Sequence, residues 1–301
     1  MNQDRIKTLR DKLNQVQIPA ADFDAYYKQL PEEDSQKVKR VVDYYEDIES
    51  FLDRGELHVG AKTPFHRLDD KFRFRPAEVT LWSGQNGHKK SMITGFFCIN
   101  FLKQKERVCI ASLEMKPVRT IHRMVKQYTM TENPSFNEFS DFMDFAAHDL
   151  YIFDQMGNIS PSRLYGVISY CAKELNVKHF VIDSLMRVVP GEDSYNEQKD
   201  FVVRLCELAT IFGIHIHLIH HAKKPSGNKT VGGRYDAKGS GAISDNVSNS
   251  LIVWSNEEKS DEHPDFVIKC DKQRAGAWQG MIGLKFDEKT LTFEQVTKDD
   301  F

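Results

Sequence analysis

No run of about 18 or more apolar residues occurs in this 301-residue sequence, and its start lacks the basic, apolar and small-residue succession of an export signal. Membrane spanning and secretion are therefore not expected. Cysteine is scarce and scattered: Cys98, Cys109, Cys171, Cys206 and Cys270 form no CxxC pair and mostly fall in apolar runs that read as core. Neither a zinc site nor a disulfide framework is suggested, and a reducing cytoplasm is the expected compartment. Charge of one sign is not in excess, the formal net charge being −3, so any grip on nucleic acid must come from local basic loops. Internal repeats and low-complexity tracts are also missing. What remains, with 40% hydrophobic residues, suffices for one substantial α/β core with an appendage and is too apolar for a disordered chain.

The appendage is the helical or linker segment 1–58. DRIKTLRDKLNQVQ and DSQKVKRVVDYYEDIESFLDRG have helical spacing, and the second ends at a glycine suited to a C-cap. With too few apolar positions for a core of its own, the segment is expected to dock on its own body or on a neighbouring copy. Over 59–301, short β-rich runs alternate with helix-length segments, the pattern of a mostly parallel sheet covered on both faces. Expected strands are 78–83, 107–112, 150–154, 179–183, 215–220 and 250–254. Beyond them DFVIKCDKQ, a glycine-bearing turn, MIGLKFD and TLTFEQV turn antiparallel and close the sheet as a hairpin edge.

Directly after the first strand comes Gly84, Gln85, Asn86, Gly87, His88, Lys89, Lys90 and Ser91, followed by the helical stretch MITGFFCINFLKQK. A strand, a glycine-rich loop and a helix in that order let backbone N–H groups and a helix N-terminus cradle phosphates. On this reading Lys90 contacts the β and γ phosphates and Ser91 ligates Mg²⁺. The usual pattern, GxxxxGK[ST], has a second glycine where Lys89 stands. Its side chain either crowds the phosphates or leans outward harmlessly, and both outcomes stay open at this stage.

Asp183, in HFVIDSL, ends an apolar strand, where a lone acid is costly unless it binds a metal or a donor; it is the candidate for the Mg²⁺ shell. Glu114, in ASLEM, emerges at the same carboxyl edge and is the candidate base for the attacking water, its ordinary alternative being an acid at a helix start. Between Lys223 and Lys238 lie five basic residues, Lys223, Lys224, Lys229, Arg234 and Lys238, against the single acid Asp236. This glycine-rich stretch is suited to gripping a nucleic-acid backbone, and with Tyr235 as its one aromatic residue it should tolerate any sequence.

The succession of this loop, SLEM, FVIDSL, IHHAKKP, GSGAISDNVSNSLIVW and KCDKQRAGAWQG resembles the DnaB-type hexameric replicative helicases, nearest to their phage primase-helicase and Twinkle-like branch. The likeness spans about 64–286, and SLEM with KQRxGxxxG is far more specific than a P-loop alone. It implies an α/β fold with a RecA-like P-loop ATPase core, a mostly parallel twisted sheet ending in an antiparallel hairpin edge and preceded by N-terminal helices. It implies a homo-hexamer that uses ATP, or another NTP, with Mg²⁺ to move 5′ to 3′ on single-stranded DNA in replication. His221 matches the γ-phosphate sensor, ahead of His220; Lys272 and Arg274 match a lysine and an arginine finger that complete the neighbouring subunit's site. Loops at about 186–196 and 223–245 would line the channel.

No primase-like region precedes the motor in these 301 residues, so either a separate primase or loader is an expected partner or the sequence is part of a longer chain; the expected compartment is the cytoplasm of a bacterium or phage-infected cell rather than an organellar matrix. Two alternatives stay open: a RecA- or KaiC-like DNA-dependent ATPase, or a DNA-binding ring protein whose ATPase is impaired by Lys89.

Overall fold

The computed structural model describes residues 28–54, 59–191, 194–221, 240–256 and 263–296. They belong to two compact units, divided between Asp53 and Arg54. In the first, α1 (Glu32–Lys37), a 3₁₀ turn (Val41–Tyr44) and α2 (Tyr45–Arg54) replace the single helix expected from DSQKVKRVVDYYEDIESFLDRG. The break has a local cause. Val38 and Arg40 are extended, and Asp43 restarts the helical backbone by accepting from the Arg40 amide at 2.9 Å and its guanidinium at 3.0 Å. Val38, Val41, Val42, Tyr45, Ile48 and Leu52 are all exposed. DRIKTLRDKLNQVQ lies outside the described residues.

The second unit is built on a nine-stranded sheet ordered β3-β2-β4-β5-β1-β6-β7-β8-β9. Its strands are β1 (Val79–Gly84), β2 (Val108–Ser112), β3 (Leu150–Ile152), β4 (His179–Asp183), β5 (His215–His221), β6 (Asn249–Ser255), β7 (Phe266–Gln273), β8 (Gly280–Phe286) and β9 (Phe293–Gln295). The first six pair in parallel and the last three antiparallel, as the sequence leads one to expect. Helices α3 (Lys90–Lys103), α4 (Pro117–Thr129), α5 (Phe136–Ala146), α6 (Pro161–Lys173), α7 (Tyr195–Phe212) and α8 (Ser240–Asn246) connect the parallel strands. Among the described residues, no helix is long and apolar enough to cross a membrane.

Side chains alternate along buried strands, so one continuous apolar run feeds two cores. Val79, Leu81, Phe180, Ile182, Ile216 and Leu218 enter one of them. Trp82, Val181, Ile219, Leu251 and Val253 enter the other, where Phe97 and Phe101 of α3 cover them. That second face carries an unexpected polar seam. His179 and His217 share a hydrogen bond of 3.1 Å, Trp82 donates to His217 at 3.2 Å, and His215 pairs with the Thr80 hydroxyl at 2.8 Å and the Arg75 carbonyl at 2.6 Å. The three rings are buried and partnered, which is how a core tolerates neutral imidazoles. Burial pushes all three pKa values down, that of His215 to about 4.

Candidate active site at the carboxyl edge

After β1 the chain crosses to β2, two strands beyond β5, so the loop following β1 opens at the point where the strand order reverses. Gly84 ends β1 against β6, where a Cβ would collide with the Val253 carbonyl oxygen. Replacing Gly84 with alanine is therefore expected to cost about 1–3 kcal/mol, read as a lower Tm. An unchanged melting curve would mean that β6 yields freely. Gly87 sits at φ +87, a backbone state that glycine adopts without strain. Lys89, the residue before α3, offers no side-chain hydrogen bond to the helix's first turn. No side-chain cap therefore competes with an anion for that turn's N–H groups.

Lys89 turns its side chain toward the antiparallel strands. The residue is left-handed, φ 53 and ψ 29. Its ammonium lies over the rings of Phe266 and Phe286, 5.3 and 5.0 Å from their centroids. Lys90 donates from Nζ to the carbonyls of Gly84 and Gln85, each at 2.8 Å. Burial pushes its pKa down to about 8 despite the nearby charges of Asp183 and Glu114.

Strand order brings together groups that are far apart in the chain. Asp183, buried at the end of β4, accepts from the Ser91 hydroxyl; burial pushes its carboxyl above the usual value, and Ser91, His221 and Lys90 oppose that rise. A buried carboxylate beside a hydroxyl is a hard oxygen donor pair that fits a divalent cation. Glu114, just past β2, accepts from the Ser184 hydroxyl at 2.8 Å and from Arg187 Nε at 3.4 Å, and faces His221 Nε2 at 3.7 Å. His221, then Ser184 and Arg187, pull its pKa down to about 2 against burial, so the carboxylate is ionised and held. The other His221 nitrogen, Nδ1, is buried without a hydrogen-bond partner among the described residues. Ser184 and Arg187 were not singled out in the sequence. FVIDSLMR contains both, but nothing local says they turn toward a glutamate 70 and 73 positions earlier.

Lys272 and Arg274 are elsewhere. Gln273 pairs with Asn249 at the start of β6, whereas Gly84 and His88 meet Val253 four residues further along. Four strand residues span about 13 Å. The two cations thus lie at the amino edge of the parallel strands and the loop 84–91 at the carboxyl edge. A register shift opposite Ser250 and Leu251 kinks β7 next to Lys272. Lys272 Nζ donates to the carbonyls of Ser244 and Asp245 at 2.7 and 2.9 Å, and Arg274 Nη2 to those of Asp245 and Asn246 at 2.8 and 3.3 Å. Both satisfy the C-terminal end of α8, where cations are favoured. Lys223, Lys224, Lys229, Arg234 and Lys238 lie outside the described residues.

No protein-family model matches this chain, and no curated protein does. Solved structures do. The ATPase domain of a phage helicase superposes with a TM-score of 0.70 at 18% identity, over 85% of this chain and 97% of that one. A DnaB-like replicative helicase, solved in a study of its interactions with primase, gives 0.68 at 15% identity, over 85% and 67%. The nine-stranded sheet, parallel in the body and antiparallel at its C-terminal edge, is RecA-like, and this chain has the fold of the ATPase domain of DnaB-like replicative helicases.

Proposed function

We propose that this chain is an ATP-driven motor that assembles into a ring and moves along single-stranded DNA as a replicative helicase. One observation carries the reading. Lys90, Ser91, Asp183, Glu114 and His221 gather at one edge of the sheet, while Lys272 and Arg274 lie at the other, beyond reach of their own loop. A phosphoryl-transfer site needs cations against the transferring group. A second copy stacked head to tail would present its amino edge to this carboxyl edge and supply them.

On this reading the loop 84–91 holds the phosphates and Lys90 leaves its two carbonyls for the β and γ oxygens. Ser91 and Asp183 would hold Mg²⁺, which neutralises phosphate charge. Glu114, released from Ser184 and His221, orients the water and takes its proton. His221, parted from Glu114, hydrogen-bonds the γ-phosphate itself and passes the change into the basic segment that follows it, where Lys223, Lys224, Lys229, Arg234 and Lys238 grip DNA phosphates. The exposed apolar residues of segment 1–58 suit packing on a neighbouring copy, and a separate primase or loader would act with the ring in the cytoplasm. The outward turn of Lys89 favours this over a ring with impaired hydrolysis.

ATP turnover with and without single-stranded DNA tests the proposal, with Lys90→Ala as the inactive control. Turnover that rises with DNA, together with unwinding of a forked duplex, supports it. DNA coating without strand displacement would favour a RecA-like filament. A strictly monomeric protein hydrolysing at full rate would remove the reading altogether.

A further inference from the structure

The residue between the phosphate loop and α3 adopts a left-handed backbone, φ 53, which a lysine enters at a cost that a glycine does not bear. A side-chain contact is on hand to offset that cost. The Lys89 ammonium lies over two rings, Phe266 at the start of β7 and Phe286 at the end of β8. Those rings meet each other edge-on at 5.5 Å, and Phe293 backs them at 5.6 and 4.9 Å. Phe266 is buried and Phe286 partly so, so the cation sits on a low-dielectric aromatic wall where its attraction to the ring faces is strengthened. The same side of the sheet fixes the rest of the loop, for Gly84 and His88 both pack on the Val253 carbonyl.

We propose that Lys89 is a positioning residue: Phe266 and Phe286 clamp its ammonium, and this clamp fixes the left-handed turn that aims the loop's N–H groups at phosphate. The proposal rests on the nucleotide-loop reading above. The turn is held by a side-chain contact instead of by glycine's freedom, and the clamp points away from the cradle.

The test uses the full chain, a fluorescent ATP analogue with Mg²⁺, and amide hydrogen exchange of residues 84–91 without nucleotide. Lys89→Met and Phe286→Leu are each expected to weaken analogue affinity about fivefold and to speed loop exchange by a similar factor, with exchange in β4 and β5 unchanged. The double variant should be no worse than Lys89→Met alone, because Lys89→Met already removes the whole clamp of which Phe286 is a part. Lys89→Arg, which keeps the cation, and Lys89→Gly, which needs no clamp, should each recover most of the affinity and exchange protection that Lys89→Met loses. If Phe286→Leu does not fold, the contrast between Lys89→Met and Lys89→Arg carries the test. Loss in Lys89→Met with none in Phe286→Leu would overturn the proposal, since Lys89 would then act on phosphate directly; so would a loss in Lys89→Gly. A parent chain that binds no analogue, yet shows faster loop exchange in Phe286→Leu, keeps the clamp and defeats the nucleotide reading instead.

Discussion

Replacing Arg274 with alanine is expected to lower ATP turnover by about a thousandfold or more while leaving nucleotide affinity within a few-fold. The reason is positional. Arg274 lies at the amino edge of the sheet, across β6 from the loop of its own chain, so it contributes nothing to binding there. On the proposed reading, the substitution removes charge stabilisation from a neighbour's transition state, where a planar guanidinium would align with phosphoryl oxygens in a way an ammonium cannot, so Arg274→Lys should rescue poorly. In the single chain its Nη2 is spent on the Asp245 and Asn246 carbonyls. Charge-assisted bonds of this kind are worth about 1.5–3 kcal/mol, so reaching a neighbour must exchange them for phosphate oxygens of comparable strength. Alanine therefore also strips a helix cap, and a modest fall in Tm is expected alongside the kinetic loss. Mixing separates the two effects. Lys90→Ala and Arg274→Ala chains combined in equal amounts recreate an intact site wherever a sound loop faces a sound arginine, about one interface in four for random assembly. Recovered turnover near that fraction supports action across the interface, whereas a mixture as inactive as its parts would place Arg274 in a purely structural role.

Acidification from pH 7.5 to 5 should destabilise the fold steeply. His179, His215 and His217 are buried as neutral rings with pKa values held below the ordinary 6.5, that of His215 at about 4. In the unfolded chain they take up protons near pH 6.5; in the folded chain they do not. The unfolded state thus binds more protons as pH falls, and stability present above about 6.5 is lost on the way down to the folded value. Each histidine contributes a slope of up to about 1.4 kcal/mol per pH unit, so His215 alone accounts for roughly 3 kcal/mol by pH 4. The raised carboxyls of Asp183, Glu78 and Glu106 act in the opposite sense and soften the low end. Urea midpoints at half-unit steps of pH measure the net slope, and His217→Gln should flatten it by removing one titrating ring. A midpoint constant from pH 7 to 5.5 would mean that the seam opens to water.

The strands and the loop were legible because their signals are local. The loop 84–91 lies between a strand and a helix in one stretch of chain, and Asp183 and Glu114 each follow an apolar run, so periodicity and neighbours suffice to place them at the ends of their strands. The helix break at 38–40 was missed because its cause is the side chain of Asp43 competing for a backbone amide, which helical spacing does not register. The histidine seam went unread for a different reason: the spacing of His215 and His217 is visible, but their partners His179, Trp82 and Thr80 come from other strands.

By itself the sequence determined the strand pattern that sets the sheet type, and it put forward, as candidates for chemistry, the loop 84–91, two carboxylates and a basic segment. Only the tertiary structure decided who meets whom. It tied Glu114 to Ser184 and His221, turned Lys89 onto two phenylalanines, and set Lys272 and Arg274 on the edge opposite their own loop. The physical reason is that spacing and composition report what a few neighbouring residues do to one another, whereas strand order and register join segments tens to hundreds of residues apart, and the free energy that selects that order is spread across two cores rather than written at any one position.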